Sequence, residues 1–201
     1  MARAAPYDRD TALNAAMTLF WHKGFHATSL KDLEAALSMK PGSIYAAFTS
    51  KEHLYLLALE RYFGKSRKAF RLGMTRATSP LAGLADHIRS YARLPQDDMA
   101  RRACMLTKTL VDTRATDPVL AAASLEYMQA MQDEFAAVIR NARDAGELPE
   151  NTDADRLARR VQANIAALRI SLQQGMTHEE IVELAEDMAG EIEALRLGQA
   201  A

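Results

Sequence analysis

The chain has 201 residues, is 49% apolar, and carries a single cysteine and a net charge of −1. It can fill one large core or two small ones, and it cannot form an intramolecular disulfide, so it reads as a cytoplasmic protein in reducing surroundings. Residues 1–10, with Arg3, Asp8, Arg9 and Asp10, lack the apolar stretch of a signal peptide, and no run approaches a transmembrane helix.

The near-zero charge hides an asymmetry. Residues 1–71 hold 11 Lys/Arg against 6 Asp/Glu, a net +5, and residues 72–201 hold 14 against 20, a net −6. A basic amino-terminal third suits a polyanionic partner. Ten of the thirteen aromatic residues lie at or before Phe70, at helical spacing among apolar neighbours. That placement reads as a compact core rather than a base-stacking surface.

The elements are helices throughout. Leu13, Ala16, Met17 and Phe20 repeat at helical spacing, which predicts a first helix from about Asp8 to His22 with Gly24 as its C-cap. Ser29 opens a second, with Asp32 at capping-box distance and Leu30, Leu33, Ala36 and Leu37 as its buried stripe. A turn over Ser38–Lys40 leads to Pro41, which pre-sets the first turn of a third helix ending near Phe48. Thr49 or Ser50 caps a fourth, expected to reach Arg71. Further helices are expected at about 80–94, 101–114, 117–144, 154–174 and 177–197, separated by loops holding Pro95, Asp117–Pro118, Gly146–Pro149 and Gly175. The expected fold class is all-α with about nine helices.

Three short helices with a tight turn between the second and third have the layout of a helix-turn-helix, whose second member enters the major groove. Residues 11–55 carry Leu19-Phe20, Gly24-Phe25, Ala27-Thr28-Ser29, Asp32-Leu33, Gly42-Ser43-Ile44-Tyr45, Phe48 and Ser50-Lys51-Glu52 in one register. This closely resembles the amino-terminal domain of TetR/AcrR-family repressors. Two positions depart from the pattern: Ser38 stands where glycine is usual, and Glu34 where a small alanine is usual.

The residues make chemical sense beside the resemblance. Tyr45 and Lys51 can donate to phosphates, as Thr28 and Ser29 can from the start of the second helix. Lys40 and Ser43 are candidates for base edges, and Pro41 and Gly42 keep that end of the helix small. Arg3 and Arg9 are weaker candidates for backbone contacts. Tyr45 could instead close the small core, and Lys51 could be a solvated charge.

The resemblance implies a division into a helix-turn-helix domain over 1–51, a connecting helix over 51–71, and a ligand-binding and dimerisation domain over 72–201. It implies a homodimer on a DNA operator, an unidentified small-molecule effector, no cofactor, no metal and no catalysis. It places the effector pocket between the middle helices, where Cys104, Met105, Lys108, Thr109, Asp112, Tyr127 and Met131 are candidate lining. The helix at 154–174 is apolar more than halfway round, which suggests a face for a partner subunit. Val161, Ile165, Leu168 and Leu172, with Ile181, Leu184, Met188 and Ile192 of the last helix, are the candidate interface.

Cys104 follows Arg101-Arg102-Ala103 at a helix start, surroundings that favour the thiolate. The segment resembles a family subgroup with a cysteine here, some of whose members respond to electrophiles or oxidants. The alternative is a small buried hydrophobe. An enzyme or adaptor that kept only the fold is the remaining reading. Against it, Gly64-Lys65-Ser66 lacks the leading glycine of a phosphate loop, and His178-Glu179-Glu180 lacks the second histidine of a zinc helix.

Overall fold

A computed structural model describes residues 8–95, 98 and 103–197. Among these, nine helices form and no strand: α1 (Arg9–Lys23), α2 (Leu30–Leu37), α3 (Pro41–Phe48), α4 (Lys51–Arg76), α5 (Pro80–Ala92), α6 (Met105–Thr113), α7 (Pro118–Asp144), α8 (Ala154–Gln174) and α9 (His178–Glu193). The candidate residues Arg3, Arg101 and Arg102 lie outside the described residues. No described helix is long and apolar enough to cross a membrane.

Two compact units form. The first joins the residues up to Lys65 with Met105–Tyr127, and the second joins Ser66–Cys104 with the residues from Met128 onward. Within the first unit, α6 and the start of α7 pack with the helix-turn-helix, through bonds described below.

In the first unit, Asp8 caps α1, its carboxylate accepting the Asp10 N–H at 3.0 Å. Ala12, Leu13, Ala16, Met17, Phe20 and Trp21 form the buried face of α1. Phe20 and Phe25 both meet the Tyr55 ring edge-on, at 4.7 and 5.1 Å, and Trp21 meets Tyr62 at 4.9 Å. These are favoured aromatic geometries, and they explain why the aromatics crowd this end of the chain. Leu33, Leu37, Ile44, Phe48 and Leu54 complete the core.

Two turn residues carry unusual backbones. Ser38 ends α2 in the left-handed region, at φ 52° and ψ 38°, where the family pattern has glycine. Thr49 joins α3 to α4 at φ 66° and ψ −55°, with the Ser50 N–H bonded to the Phe48 carbonyl at 2.7 Å. That is a γ-turn of the rare positive-φ kind, held by a β-branched residue.

In the second unit, Ser79 caps α5, and Asp153 and Thr177 cap α8 and α9. The core combines Phe70, Leu81, Leu84, Ile88, Phe135, Ile139, Val161, Leu168, Ile181 and Ile192. Each such side chain contributes about 1.5–3 kcal/mol by leaving water. Arg89 joins α5 to α9 through Glu186 at 2.7 Å and Glu193 at 2.8 Å. Glu134 receives both Arg67, at 2.8 Å, and Arg71, at 2.7 Å.

Glu147, buried in the turn after α7, organises one end of the second unit. Its carboxylate accepts the Ser79 hydroxyl at 2.7 Å and pairs with Arg196 at 2.8 Å, while its carbonyl accepts the Leu197 N–H at 2.9 Å.

Candidate nucleic-acid interface

The turn from α2 into α3 is built locally. Ser29 and Asp32 form a reciprocal capping box, the Ser29 N–H donating to Asp32 Oδ2 at 2.8 Å and the Asp32 N–H to Ser29 Oγ at 3.2 Å. Lys23 donates to the same carboxylate at 2.6 Å. The Lys23 ammonium, with the Ser29 donors, holds the Asp32 carboxyl well below the usual carboxylate range. Pro41 then starts α3, with Lys40 at the N-cap making no capping bond.

On α3 the apolar and exposed faces separate cleanly. Ile44 and Phe48 are buried, while Gly42, Ser43, Tyr45 and Ala46 are exposed. Tyr45 is 47% exposed, so it does not close the core. The face presented to solvent is one aromatic hydroxyl, one serine and otherwise almost no side chain. Lys40 is exposed at its leading end and Pro41 is half-buried beside it.

Lys51, the first residue of α4, lies with its ammonium 4.5 Å from the centre of the Phe25 ring. Partial burial lowers its pKa from the ordinary lysine value. A cation at a helix amino terminus opposes the dipole, and the aromatic face offsets part of that. Arg9 sits similarly over Phe48, at 5.4 Å.

Thr28 departs from expectation. It is 1% exposed, and its hydroxyl donates to the Gly24 carbonyl at 2.6 Å. Its polar group serves the α1–α2 corner and is closed to a phosphate. Ser29 remains exposed, with its hydroxyl engaged in the capping box. Lys31, exposed on the first turn of α2, belongs to the same surface and was not singled out from sequence. Its only signal there is its position two residues after the capping serine.

The seven expected pocket residues are divided between the two units. Met105 is fully buried in the first unit. Lys108 donates to the His22 carbonyl at 2.9 Å, Thr109 bonds Tyr55 at 2.6 Å, and Asp112 lies against Gly24. Tyr127 stacks on Phe63 at 4.9 Å. These five are engaged within the helix-turn-helix unit, whereas Met131 packs on the core of the second unit.

Cys104 is half-buried and belongs to the second unit. The preceding Ala103 N–H donates to Gln173 Oε1 of α8 at 2.7 Å. One turn earlier on α8, buried Arg169 sets its guanidinium 5.6 Å from the centre of the Tyr91 ring. Burial raises the Tyr91 phenol, Arg169 opposes the rise, and Cys104 is near enough to act on the same group.

The expected interface residues all lie in the second unit. Val161, Ile165, Leu168, Leu172, Ile181 and Ile192 are buried in the second unit's own core, and Leu184 and Met188 pack partly buried against it. The exposed residues of α8 include Ala163, Ala167 and Ile170, while those of α9 are mostly acidic, with Val182 beside Glu183, Glu186, Asp187 and Glu191.

The comparisons with known proteins match this architecture. The model for bacterial regulatory proteins of the tetR family matches residues 12–58, and that for the tetracyclin repressor-like C-terminal domain matches residues 80–180. The HTH-type transcriptional repressor ComR of Escherichia coli K12 is 31% identical over 185 residues, covering 91% of this chain and 88% of that protein. A cysteine mutant of the regulator CifR, solved with a 26-base-pair operator duplex, is 27% identical with a TM-score of 0.85, covering 94% of this chain and 98% of that one. Reduced NemR of E. coli, 14% identical with a TM-score of 0.81 over 96% and 98% of the two chains, shares the fold.

Proposed function

Since this chain belongs to the tetR family of bacterial regulatory proteins and is a DNA-binding transcriptional regulator, we propose that it is an effector-controlled repressor that binds a palindromic operator as a homodimer. The observation that carries the reading is the divided surface of α3. Tyr45 stands exposed among Gly42, Ser43 and Ala46 while Ile44 and Phe48 anchor the helix from behind. A helix stripped of bulk on its outer face can lie close to a duplex. Tyr45 and Lys51 fix register on phosphates, and Lys40 and Ser43 read base edges. In a dimer, two such helices meet successive major grooves about 34–36 Å apart.

The partner subunit docks on the outer face of α8, where Ala163 and Ala167 let helix backbones approach and Ile170 supplies apolar area. The effector acts by favouring the dimer geometry that misfits the operator.

The test is capture of sheared source-genome DNA by the purified protein at two salt concentrations, followed by sequencing. A single enriched palindrome that survives the higher salt is expected. Enrichment of nothing, or only salt-labile binding to all sequences, overturns the operator reading.

One observation favours a second trigger, a redox or electrophile response at Cys104: a half-buried thiol near Tyr91, which also neighbours the Arg169 cation. Hydrogen peroxide or an α,β-unsaturated carbonyl should then release wild-type protein from the operator and leave Cys104→Ser bound. Release of both proteins alike rules that trigger out.

A further inference from the structure

We propose that Lys108 is a positioning residue for operator binding, holding the α1–α2 corner from α6 without touching DNA. This inference rests on the DNA-binding reading above.

The last carbonyls of a helix have no partner within it. At the end of α1, Lys108 Nζ donates to the His22 carbonyl at 2.9 Å and lies 3.4 Å from that of Trp21. A cation there also opposes the negative end of the helix dipole. The bonds span 86 and 87 residues, so they fix α6 to α1 rather than trimming a local end.

The corner has little freedom to compensate. Gly24 ends α1 at φ 84° and ψ 173°, a combination essentially confined to glycine. A Cβ on Gly24 would stand 3.1 Å from Asp112 Oδ2 and 3.6 Å from Lys108 Cε, so α6 presses directly on the bare backbone. The Gly24 carbonyl in turn accepts the buried Thr28 hydroxyl, and Thr28 leads into the Ser29 cap of α2. His26 Nε2 and Thr116 Oγ1, 2.9 Å apart, tie the same corner from beyond α6. The direction in which α2 and α3 leave α1 is thus set by contacts from residues 108–116.

Loss of the ammonium leaves α3 intact but loosens that direction. A specific complex needs every base contact at once, whereas non-specific binding tolerates a spread of orientations. Specific affinity therefore suffers more than general affinity.

The experiment measures full-length wild type, Lys108→Met and Lys108→Arg on the genome-selected operator and on a random duplex, across a salt series. Lys108→Met is expected to weaken operator binding about tenfold and random-duplex binding less than twofold, with an unchanged salt slope. Lys108→Arg, which restores a donor, should recover most of the loss. Operator binding within twofold of wild type overturns the proposal. So do equal losses on both duplexes with a slope reduced by about 1, which would make Lys108 a phosphate contact. If Lys108→Met does not fold, Lys108→Ala, which also removes the donor, is read by the same criteria. If wild type selects no operator, the DNA-binding reading is what fails. Lys108 is then judged by amide exchange over Phe25–Ser29, which should quicken in the variant; unchanged exchange refutes the corner role.

Discussion

The phenol of Tyr55 and the hydroxyl of Thr109 lie 2.6 Å apart, each about 1% exposed, across 54 residues of sequence. Thr109 Oγ1 also stands 2.7 Å from the Met105 carbonyl and donates to it, so Tyr55 is the donor of the pair. Burial pushes the Tyr55 phenol up to about 12, which keeps it protonated and donating throughout ordinary working conditions.

Tyr55→Phe should therefore cost about 1 kcal/mol, because Thr109 keeps its other bond. Thr109→Val should cost more, about 1–3 kcal/mol, because it leaves a buried phenolic donor unpaired. The double variant should resemble Tyr55→Phe more than the sum. Urea unfolding of the three proteins measures this, and a larger loss for Tyr55→Phe would reverse the donor assignment.

The positive-φ turns allow stabilisation. Ser38→Gly relieves a left-handed residue and should gain about 0.5–1 kcal/mol, and Thr49→Gly, in the γ-turn, at least as much. Thermal unfolding should show both melting above wild type. A fall in melting temperature at either site would mean the side chain contributes more than its backbone costs.

Acid should unfold the protein partly through His87. Its ring is enclosed by Phe70 at 4.9 Å, Tyr91 at 5.4 Å and Phe135 at 6.1 Å. Burial, with a smaller push from Arg169, drives it from 6.5 down to about 4. Between these values the unfolded chain binds a proton that the folded chain refuses. Stability is thus complete above about 6.5 and declines as pH falls toward 4, by about 1–3 kcal/mol. His87→Phe should flatten that limb of the stability–pH curve, whatever it does to the maximum, and an unchanged slope would place the acid sensitivity elsewhere.

On DNA, the two lysines should behave differently. Lys51→Ala should weaken all duplexes similarly and reduce the salt slope by about 1. Lys40→Ala should also shift sequence preference, at a cost of about 1–3 kcal/mol on the preferred site. If both variants change affinity uniformly, Lys40 contacts only the backbone.

At the proposed subunit contact, Ala167→Glu should yield folded monomers by light scattering, because Ala167 is exposed on α8. Leu168→Glu, one residue on, should instead unfold the protein, since Leu168 is fully buried. A dimer surviving Ala167→Glu would move the interface.

The contrast between Ala167 and Leu168 explains what was legible in the sequence. Helices announced themselves through chemistry local to their ends: Gly24, the Ser29–Asp32 box, Pro41, Pro80 and Gly175 all stand where expected. Two boundaries slipped: α4 runs on to Arg76 and α6 begins at Met105. Which way α8 faces was not legible, because a helix apolar over most of its surface gives no preferred side. Nor were the partners of Lys108, Thr109 and Asp112. Polar contacts between residues more than 50 positions apart leave no periodic trace. Thr28 misled for a simpler reason: a threonine near a helix start serves a phosphate or its own corner equally well on paper.

The buried Glu147 has a practical bearing on the carboxyl end. Its charge is balanced by Arg196 and its carbonyl is closed by Leu197, both beyond the last turn of α9. Trimming the chain back to the end of that helix would remove Arg196 and leave the Glu147 side chain facing the start of α5 without that partner. A purification tag or reporter should be joined after Leu197, where it would leave that closure intact.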